Sequence, residues 1–273
     1  MIIFSALKEE CSEFIRHYDL KRINCKGRFA LYSGSGPDLV ICGTGPINIA
    51  AAVGAILGNG REDQLLLYGT CGSKADIKPD LYHINKLYDM DSGRVFYPDL
   101  LIRSDIAEAS IISGSRIITE EENFSGDGEL YDMEAAFFYE AATFFSMQDK
   151  IHIFKCVTDQ VNGKLSSRED FIKKADLNAR RLFPYIDTLM ELEKEEKKEY
   201  SDLKEDEIEE RLKILLKMSL SMERDMKKIV RYCLLSGINI NKTTDRLINE
   251  GILPAKDRRS GKEIMEKYYR TLC

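Results

Sequence analysis

The stretch DLVICGTGPINIAAAVGAILGNGREDQLLLYG, residues 38–69, decides the fold of the first part of the chain. It begins and ends with short apolar runs, DLVICG and QLLLYG, which are typical of strands buried on both faces. The segment between them, INIAAAVGAILG, has the apolar pattern of a helix that packs on a sheet. A strand, a helix and a strand in this order favour two parallel strands joined by a crossover helix.

The same alternation continues on both sides of this stretch. MIIFSA (1–6) and KIHIFKCV (150–157) predict two further strands. EECSEFIRHY (9–18) predicts a helix after the first strand, and DMEAAFFYEAATFF (132–145) predicts one before the last. The sequence therefore predicts an α/β fold with a mainly parallel, mixed sheet that helices cover.

The chain changes character near residue 190, where the strand patterns stop. Residues 191–228 contain 23 charged residues out of 38, with both signs mixed. The sequence thus predicts two domains, an α/β domain over 1–192 and an all-α extension over 193–273.

A stripe of mostly apolar residues at helical spacing runs through the extension and predicts one helix of roughly 30 residues that ends at Ser236-Gly237. Such a helix packs along its own α/β domain or pairs with another subunit, and the sequence leaves both open. TTDRLINEG (243–251) and SGKEIMEKYYRTL (260–272) predict two shorter helices. The stripe consists of Ile208, Leu212, Leu215, Ser219, Met222, Met226, Ile229 and Cys233.

Composition excludes several classes of protein. A net charge of -6 gives no overall reason to expect a nucleic acid or a membrane as partner, despite a basic cluster near the C-terminus. The first residues lack the basic start and the long apolar run of a signal peptide, so we expect a cytoplasmic protein. Seven cysteines without a CxxC pair, and three isolated histidines, argue against disulfides and against a metal site.

Two of the predicted strands end in glycine turns, Thr44-Gly45-Pro46 and Gly69-Thr70-Cys71-Gly72. Glycines at the carboxyl ends of parallel strands let a ligand approach the backbone closely. Tight turns also use glycine for packing alone, so each turn by itself is a weak indication of a site.

Three acidic residues stand at the edges of predicted strands and helices. Glu10 follows the first strand, Glu134 opens the helix AAFFYEAATFF, and Asp159 directly follows KIHIFKCVT. Each has an ordinary structural explanation: a solvated face, a charge at a helix N-terminus or a strand-end turn. Three such acids at one edge of a single sheet favour a functional site, because carboxyl groups are costly to bury without partners.

In this combination the first 190 or so residues resemble the nucleoside phosphorylase superfamily, and most closely its methylthioadenosine/S-adenosylhomocysteine nucleosidases. The resemblance is carried, in chain order, by Ala6-Leu7-Lys8-Glu9-Glu10, Gly43-Thr44-Gly45-Pro46-Ile47-Asn48, Gly69-Thr70-Cys71-Gly72, Ser113-Gly114, Asp132-Met133-Glu134-Ala135-Ala136, Thr158-Asp159 and Ser166-Ser167-Arg168-Glu169-Asp170-Phe171. The extension after about residue 190 is not part of the family's usual domain.

The resemblance implies a role for each carboxylate. Asp159 would protonate N7 of a purine, Glu10 would activate the attacking water, and Glu134 would hold the ribose hydroxyls. It also implies that Met133 packs beneath the ribose and that Thr70 lies near the nucleophile. The substrate-binding positions that it implies are Met133, Thr70, Gly69, Gly72, Gly45, Ile117 and Ile118, with no cofactor and no metal.

Departures from the family pattern bear on the acceptor and on the base. The phosphorylases carry an arginine just before the Gly-Thr-Cys-Gly turn, where this chain has Tyr68, and they start with a Gly-Asp-Pro loop, where it has the pair Glu9-Glu10. Both differences favour water over phosphate. Ile117 stands where the nucleosidases usually have a phenylalanine, which weakens stacking on the base.

The sequence thus favours hydrolysis of a purine nucleoside, as in purine salvage. A phosphate-dependent phosphorylase and a non-catalytic nucleoside sensor stay open as alternatives. The expected partners are a small nucleoside, water or phosphate as acceptor, and further copies of the chain in a homo-oligomer. A partner recruited by the extension is a weaker possibility.

Overall fold

The computed structural model describes residues 1–23, 28–58, 63–74, 80–116, 130–160, 167–202 and 205–272, and it divides into two compact units, Met1–Glu193 and Lys194–Cys273. The strands of the first unit are β1 Ile2–Ser5, β2 Lys21–Ile23, β3 Ala30–Ser33, β4 Asp38–Ile41, β5 Leu65–Ser73, β6 Leu81–Asp89, β7 Val95–Phe96, β8 Ala107–Ser113, β9 Leu130–Asp132 and β10 Ile151–Gln160. The helices that begin in it are α1 Ser12–His17, α2 Pro46–Leu57, α3 Ala135–Thr143, α4 Arg168–Arg181 and α5 Phe183–Asp202, with 3-10 turns at Lys8–Glu10 and Gln148–Lys150.

The ten strands form one mixed sheet. The four strands that the sequence predicts, now β4, β1, β5 and β10, lie side by side in that order and are parallel, which confirms the predicted core of the sheet. β3 and β2 extend it antiparallel beyond β4. On the other side β10, β6, β8 and β9 pair in turn, and β9 returns to β5, so that five strands close into a ring.

Helices cover both faces of this sheet. Alternation along β1 sends Ile2 and Phe4 to one face, where they pack with α2 and α3. Ile3 points to the opposite face, where it packs with α1, α4 and α5. The α/β fold class that the sequence predicts is therefore confirmed.

The second unit contains α6 Glu205–Leu216, α7 Leu220–Leu235, α8 Ile240–Asn249 and α9 Arg258–Leu272. The predicted single helix of about 30 residues is wrong, because the chain breaks between α6 and α7. Lys217 has a φ of 49°, and the Ser219 side chain caps α7 by accepting a hydrogen bond from the Met222 N–H. A serine in an apolar stripe thus marks a helix start, since its hydroxyl competes for backbone N–H groups.

The apolar stripe is buried within the second unit itself. Together with residues of α8 and α9 it forms a separate hydrophobic core. Neither sequence alternative for the stripe, packing along the α/β domain or pairing with another subunit, describes this arrangement. The predicted end of the helix is confirmed, because Ser236 is the C-cap of α7 and Gly237 follows with a φ of 68°.

No helix in the described part of the chain has both the length and the apolar character needed to cross a membrane. The five cysteines whose surroundings are described are all buried and free: Cys11, Cys42, Cys71, Cys156 and Cys233. Burial raises the pKa of the first four thiols, which keeps them protonated and poorly reactive.

Two histidines are buried side by side between β6, β10 and α5. His83 stacks on Phe154 with ring centroids 4.2 Å apart. His152 lies 3.1 Å from the Gln64 side-chain oxygen and 3.1 Å from the Tyr185 hydroxyl. Burial lowers the pKa of His83 to about 4, and burial together with the neighbouring His83 lowers that of His152 to about 3. Both rings are therefore neutral in the folded protein near pH 7.

We expect this pair to make the fold sensitive to acid. Their pKa values are depressed on folding, so the unfolded chain binds protons first and stability is lost as the pH falls from about 6.5 toward 4. Each histidine should cost about 2 kcal/mol of unfolding free energy between pH 7 and pH 5, measured by urea denaturation. His83→Phe keeps the stacking and should reduce the slope with pH. An equal reduction in His17→Asn, which alters an exposed histidine, would contradict this explanation.

Candidate active site

The site lies where β5 changes its neighbour. Residues Leu65–Leu67 of β5 pair with β1, and Gly72 and Ser73 pair with β9, while β10 accompanies β5 on its other side throughout. Between these two pairings the N–H of Thr70 donates to a carboxylate oxygen of Glu10, 2.8 Å away, instead of to a strand. β1 and β5 thus diverge at the carboxyl end of β1, and the Glu10 side chain fills the opening. The segment Gly69-Thr70-Cys71-Gly72, predicted as a turn that ends the strand, instead continues β5.

Glu10 is the residue in this opening. It ends the 3-10 turn after β1 and is only 2% exposed. One carboxylate oxygen accepts hydrogen bonds from the Ser5 hydroxyl at 2.7 Å and the Leu7 N–H at 3.0 Å. The other accepts from the N–H and the hydroxyl of Thr70, both at 2.8 Å. An ionised carboxylate has about four acceptor positions, so the protein uses all of them and holds Glu10 in one orientation.

Glu134 lies at the start of α3 and is also buried. One of its carboxylate oxygens accepts a hydrogen bond of 2.8 Å from the N–H of Gly45, in the turn after β4. Gly45 has a φ of 92°, a conformation that only glycine adopts readily, and this presents its N–H to Glu134. Burial raises the pKa of Glu134, and nearby Lys155 partly opposes the rise.

Lys155 is a charged residue of the candidate site that the sequence analysis missed. It belongs to β10, its side chain is 1% exposed, and its ammonium lies 2.7 Å from Asp132 and 3.8 Å from Glu134. Burial alone would lower its pKa, but the charges of Asp132, Glu134 and Glu10 outweigh burial and raise it. The ammonium is therefore retained, surrounded by three carboxyl groups.

Gly69 provides the space for this ammonium. It is the register partner of Lys155 on β5, and a methyl group at Gly69 would lie 3.0 Å from the lysine nitrogen and 3.5 Å from Glu10. The first of these separations is shorter than ordinary van der Waals contact. The glycine predicted as a substrate contact thus has an observed role in holding the charged side chains together.

Asp132 connects this charge cluster to the backbone. It accepts hydrogen bonds from the Ser113 hydroxyl at 2.5 Å and from the Ala135 N–H at 2.9 Å, in addition to its ion pair with Lys155. The Ser113 hydroxyl in turn accepts from the Ala136 N–H. β8, β9 and the first turn of α3 are therefore joined at the point where Glu134 projects.

Asp159 lies at the end of β10, the strand that also contains Lys155. A register shift between Val157 and Asp159 places it opposite Gly72 of β5. The Thr158 hydroxyl donates to its carboxylate at 2.9 Å, and the side chain is partly exposed. A bulge of this kind turns a side chain away from its regular position in the sheet, and bulges are common beside active sites.

Of the other predicted substrate-binding residues, some lie within the described part of the chain and two do not. Thr70 contacts Glu10, Gly72 lies between β9 and β10, and Met133 is partly buried between Asp132 and Glu134. Ile117 and Ile118 lie outside the described residues. Within the described residues, no group of three or more histidine, cysteine or acidic side chains is arranged to hold a metal ion.

Tyr68 does not occupy the acceptor side of the site. Its ring packs edge-on against Phe14 with centroids 5.2 Å apart, and its hydroxyl donates to the Ala175 carbonyl at 2.6 Å. Tyr68 therefore faces away from the site and brings no cation to it, and the preference for water that the missing arginine implies stays a prediction. The cation beside Glu10 and Glu134 is Lys155, which points to the opposite face of the sheet.

Several solved structures have a fold similar to that of this chain. The chain is similar to a mutant of the Helicobacter pylori 5'-methylthioadenosine/S-adenosylhomocysteine nucleosidase with 5'-methylthioadenosine in the active site, at a TM-score of 0.58 and 18% identity, over 69% of this chain and 98% of that one. It is similar to the Neisseria meningitidis nucleosidase in complex with methylthio-immucillin-A at 0.56 and 19%, over 66% and 95%. It is also similar to Helicobacter pylori futalosine hydrolase at 0.57 and 17%, over 69% and 97%.

The chain contains the nucleoside phosphorylase-like fold. This confirms the fold that the sequence resemblance implies. No protein-family model matches the chain, and a search of curated proteins gives no match. At identities below 20% the similarity establishes the fold, and the chemistry has to be argued from the residues of the site.

Two glycines of α2 and its N-terminal turn provide a matched test of this geometry. Gly45→Ala should cost about 1–3 kcal/mol of unfolding free energy and displace the N–H that binds Glu134, because alanine does not adopt a φ of 92° without strain. Gly54→Ala, in the interior of the same helix and with no atom within 4 Å of the added methyl group, should stabilise by up to about 1 kcal/mol. Urea denaturation measures both, and equal effects would show that the Gly45 conformation is not required.

Proposed function

We propose that the chain hydrolyses the N-glycosidic bond of a purine nucleoside. The observation that carries the proposal is the cluster of Glu10, Asp132 and Glu134 around Lys155, at the carboxyl ends of the strands in a nucleoside phosphorylase-like fold. Three carboxyl groups around one ammonium leave the cluster with an excess of negative charge. Such a site favours a reaction in which positive charge develops on the substrate.

Cleavage of a ribosyl C–N bond is a reaction of this type. As the bond breaks, its electron pair goes to the purine and the ribosyl ring becomes oxocarbenium-like. Glu134, with one oxygen held by Gly45, is positioned to accept hydrogen bonds from ribose hydroxyls with the other. Preorganised carboxylates stabilise developing positive charge most effectively where water is excluded, and both Glu10 and Glu134 are buried.

Asp159 is the proton donor in this proposal. The leaving purine needs a proton at N7, and a carboxylic acid beside the base supplies it. Asp159 is less buried than the other carboxyl groups and stands on a bulge at the end of β10, which supports contact with the base rather than with the ribose.

Water is the acceptor that the electrostatics favour. Glu10 would take a proton from water as the water oxygen bonds to the ribosyl carbon, and this water would replace the Thr70 hydroxyl as a hydrogen-bond donor to the carboxylate. A phosphate dianion at the same place would face the carboxyl groups, and the nearby ammonium is already paired with Asp132 at 2.7 Å. Similar solved structures include nucleosidases and a futalosine hydrolase, which supports the same choice. The expected homo-oligomer stays a prediction.

Asp159→Asn should lower kcat by about 10²–10⁴-fold while nucleoside binding is largely retained, because the amide cannot donate a titratable proton to the base. The panel is adenosine, inosine, methylthioadenosine and adenosylhomocysteine, with base release followed by chromatography and binding by calorimetry. Asp149→Asn is the matched control, since Asp149 is exposed near the opposite end of β10. If the wild type binds a nucleoside tightly but releases no base, the chain is a nucleoside sensor instead.

The acceptor can be tested on the wild type. We expect the rate of base release to be the same in phosphate-free buffer and with added phosphate, with free ribose or its 5'-substituted analogue as the sugar product. We expect this because the negative charge of the carboxyl groups repels phosphate from the site. Appearance of ribose 1-phosphate, together with no release in phosphate-free buffer, would make the enzyme a phosphorylase.

A further inference from the structure

The charge of the chain is strongly segregated. The second unit, residues 194–273, contains 19 lysines and arginines against 16 aspartates and glutamates, whereas residues 1–193 contain 21 against 30. Within the second unit the basic excess lies after residue 210, where the counts are 15 against 7. The overall charge of -6 therefore hides a basic C-terminal segment attached to an acidic α/β unit. Such asymmetry between parts of a chain is typical of proteins whose basic part binds a polyanion.

The basic segment folds into two helices joined by a short turn, followed by α9. α7 ends at Leu235 and α8 begins at Ile240, which leaves a four-residue turn. Gly237 takes a φ of 68° in this turn, and the Asn239 side chain caps α8 by accepting from the Lys242 N–H at 3.0 Å. Helix-turn-helix DNA-binding modules share this feature, two helices joined by a turn of three or four residues that often contains glycine.

α8 has one buried face and one polar, open face. Ile240, Thr244 and Leu247 are buried in the core of the second unit, and the Tyr268 hydroxyl donates to Thr244 at 2.9 Å. The helix is thereby fixed with its opposite face outward. That face borders an open surface cleft, which is lined by Asn239, Asn241, Lys242, Asp245, Arg246, Asn249 and Glu250.

The side chains of this open face suit the edges of base pairs. Asparagine, arginine and lysine are residue types that bind adenine and guanine in the major groove. The cleft has two acidic members, Asp245 and Glu250. Asp245 is paired with Arg211 at 2.5 Å, and Arg211 also donates to Asn241 at 3.0 Å. Lys242 forms no ion pair among the described residues, and Arg246 lies 3.8 Å from Glu250. With Arg211 counted, three cations stand against two acids, and Lys242 carries the positive charge that no described acid pairs.

A cluster of basic residues lies after α8 in the chain, around the start of α9. Lys256, Arg258, Arg259 and Lys262 are exposed at the start of α9. Lys217 joins them, because its ammonium donates to the Lys256 carbonyl at 2.7 Å. Clustered lysines and arginines beside a recognition helix contact the phosphate backbone and supply most of the affinity in DNA binding.

We propose that the second unit binds duplex DNA, with α8 in the major groove and residues 256–262 on the phosphates. The major groove admits an α-helix, and helix-turn-helix modules read bases with the N-terminal part of their second helix. A membrane surface would require an apolar exposed face, and that of α8 is polar. Single-stranded RNA would require aromatic side chains for stacking, and the α8 face contains none.

The test uses the full chain and a fluorescent duplex of random sequence, about 20 base pairs long, with binding followed by anisotropy at about 50 mM and about 200 mM salt. The wild type should bind, with an affinity that falls steeply as salt rises. Lys242→Ala/Arg246→Ala should weaken binding at least about tenfold. The matched control, Lys21→Ala/Arg22→Ala, removes two exposed charges from β2 in the first unit and should bind like the wild type.

Absence of duplex binding by the wild type at the lower salt would overturn the proposal. So would equal weakening by the two double variants, since binding would then reflect charge in general. Tighter binding to a single-stranded RNA of equal length, or to phosphatidylserine vesicles, would assign the basic segment to those partners instead. Thermal melting of the α8 variant, compared with the wild type, separates loss of binding from loss of folding.

Discussion

The ion pair between Lys155 and Asp132 is the interaction on which the arrangement of the site depends. An ammonium that is 1% exposed is tolerated only with partners, because removing it from water without them costs several kcal/mol. Asp132 compensates for its charge at 2.7 Å, and Gly69 leaves room for it on the neighbouring strand. Glu134 and Glu10 then occupy the remaining sides, each held by backbone N–H groups. The carboxylates proposed to act on a nucleoside are therefore positioned by strands, a glycine turn and one buried lysine.

Much of the first unit follows from its sequence. The four parallel strands are apolar runs, and the predicted site segments lie toward the carboxyl ends of β1, β5 and β10. The pattern therefore indicates both the sheet and the edge where the candidate site lies. β6, β8 and β9 are not predicted, because their apolar residues alternate with polar ones or form runs too short to stand out. The role of Lys155 in the candidate site is not predicted either, for a different reason. A single lysine in an apolar strand has the pattern of a solvent-facing residue, and only the register with Gly69 shows that it points inward.

The second unit shows the limit of periodicity as evidence. The stripe from Ile208 to Cys233 keeps a helical spacing across a place where the chain turns back, because both α6 and α7 face the same core. The break is encoded by Ser219, whose hydroxyl caps α7, and by Lys217 with its positive φ. Neither residue type forbids a continuous helix. Polar capping therefore decides the topology here, and the apolar pattern decides only which residues are buried.

A buried ion pair is a poor way to stabilise a fold, and this bears on what the cluster is for. Replacing such a pair by apolar residues of similar volume is often neutral or stabilising by about 1–4 kcal/mol. Stability alone thus gives no reason for a lysine and three carboxyl groups at the divergence of β1 and β5. The proposed reaction, which passes through a cationic sugar, would explain their presence, because the charges are already oriented before the substrate enters. Lys155 has a definite part in this, because its charge opposes the rise that burial causes in the pKa of Glu134.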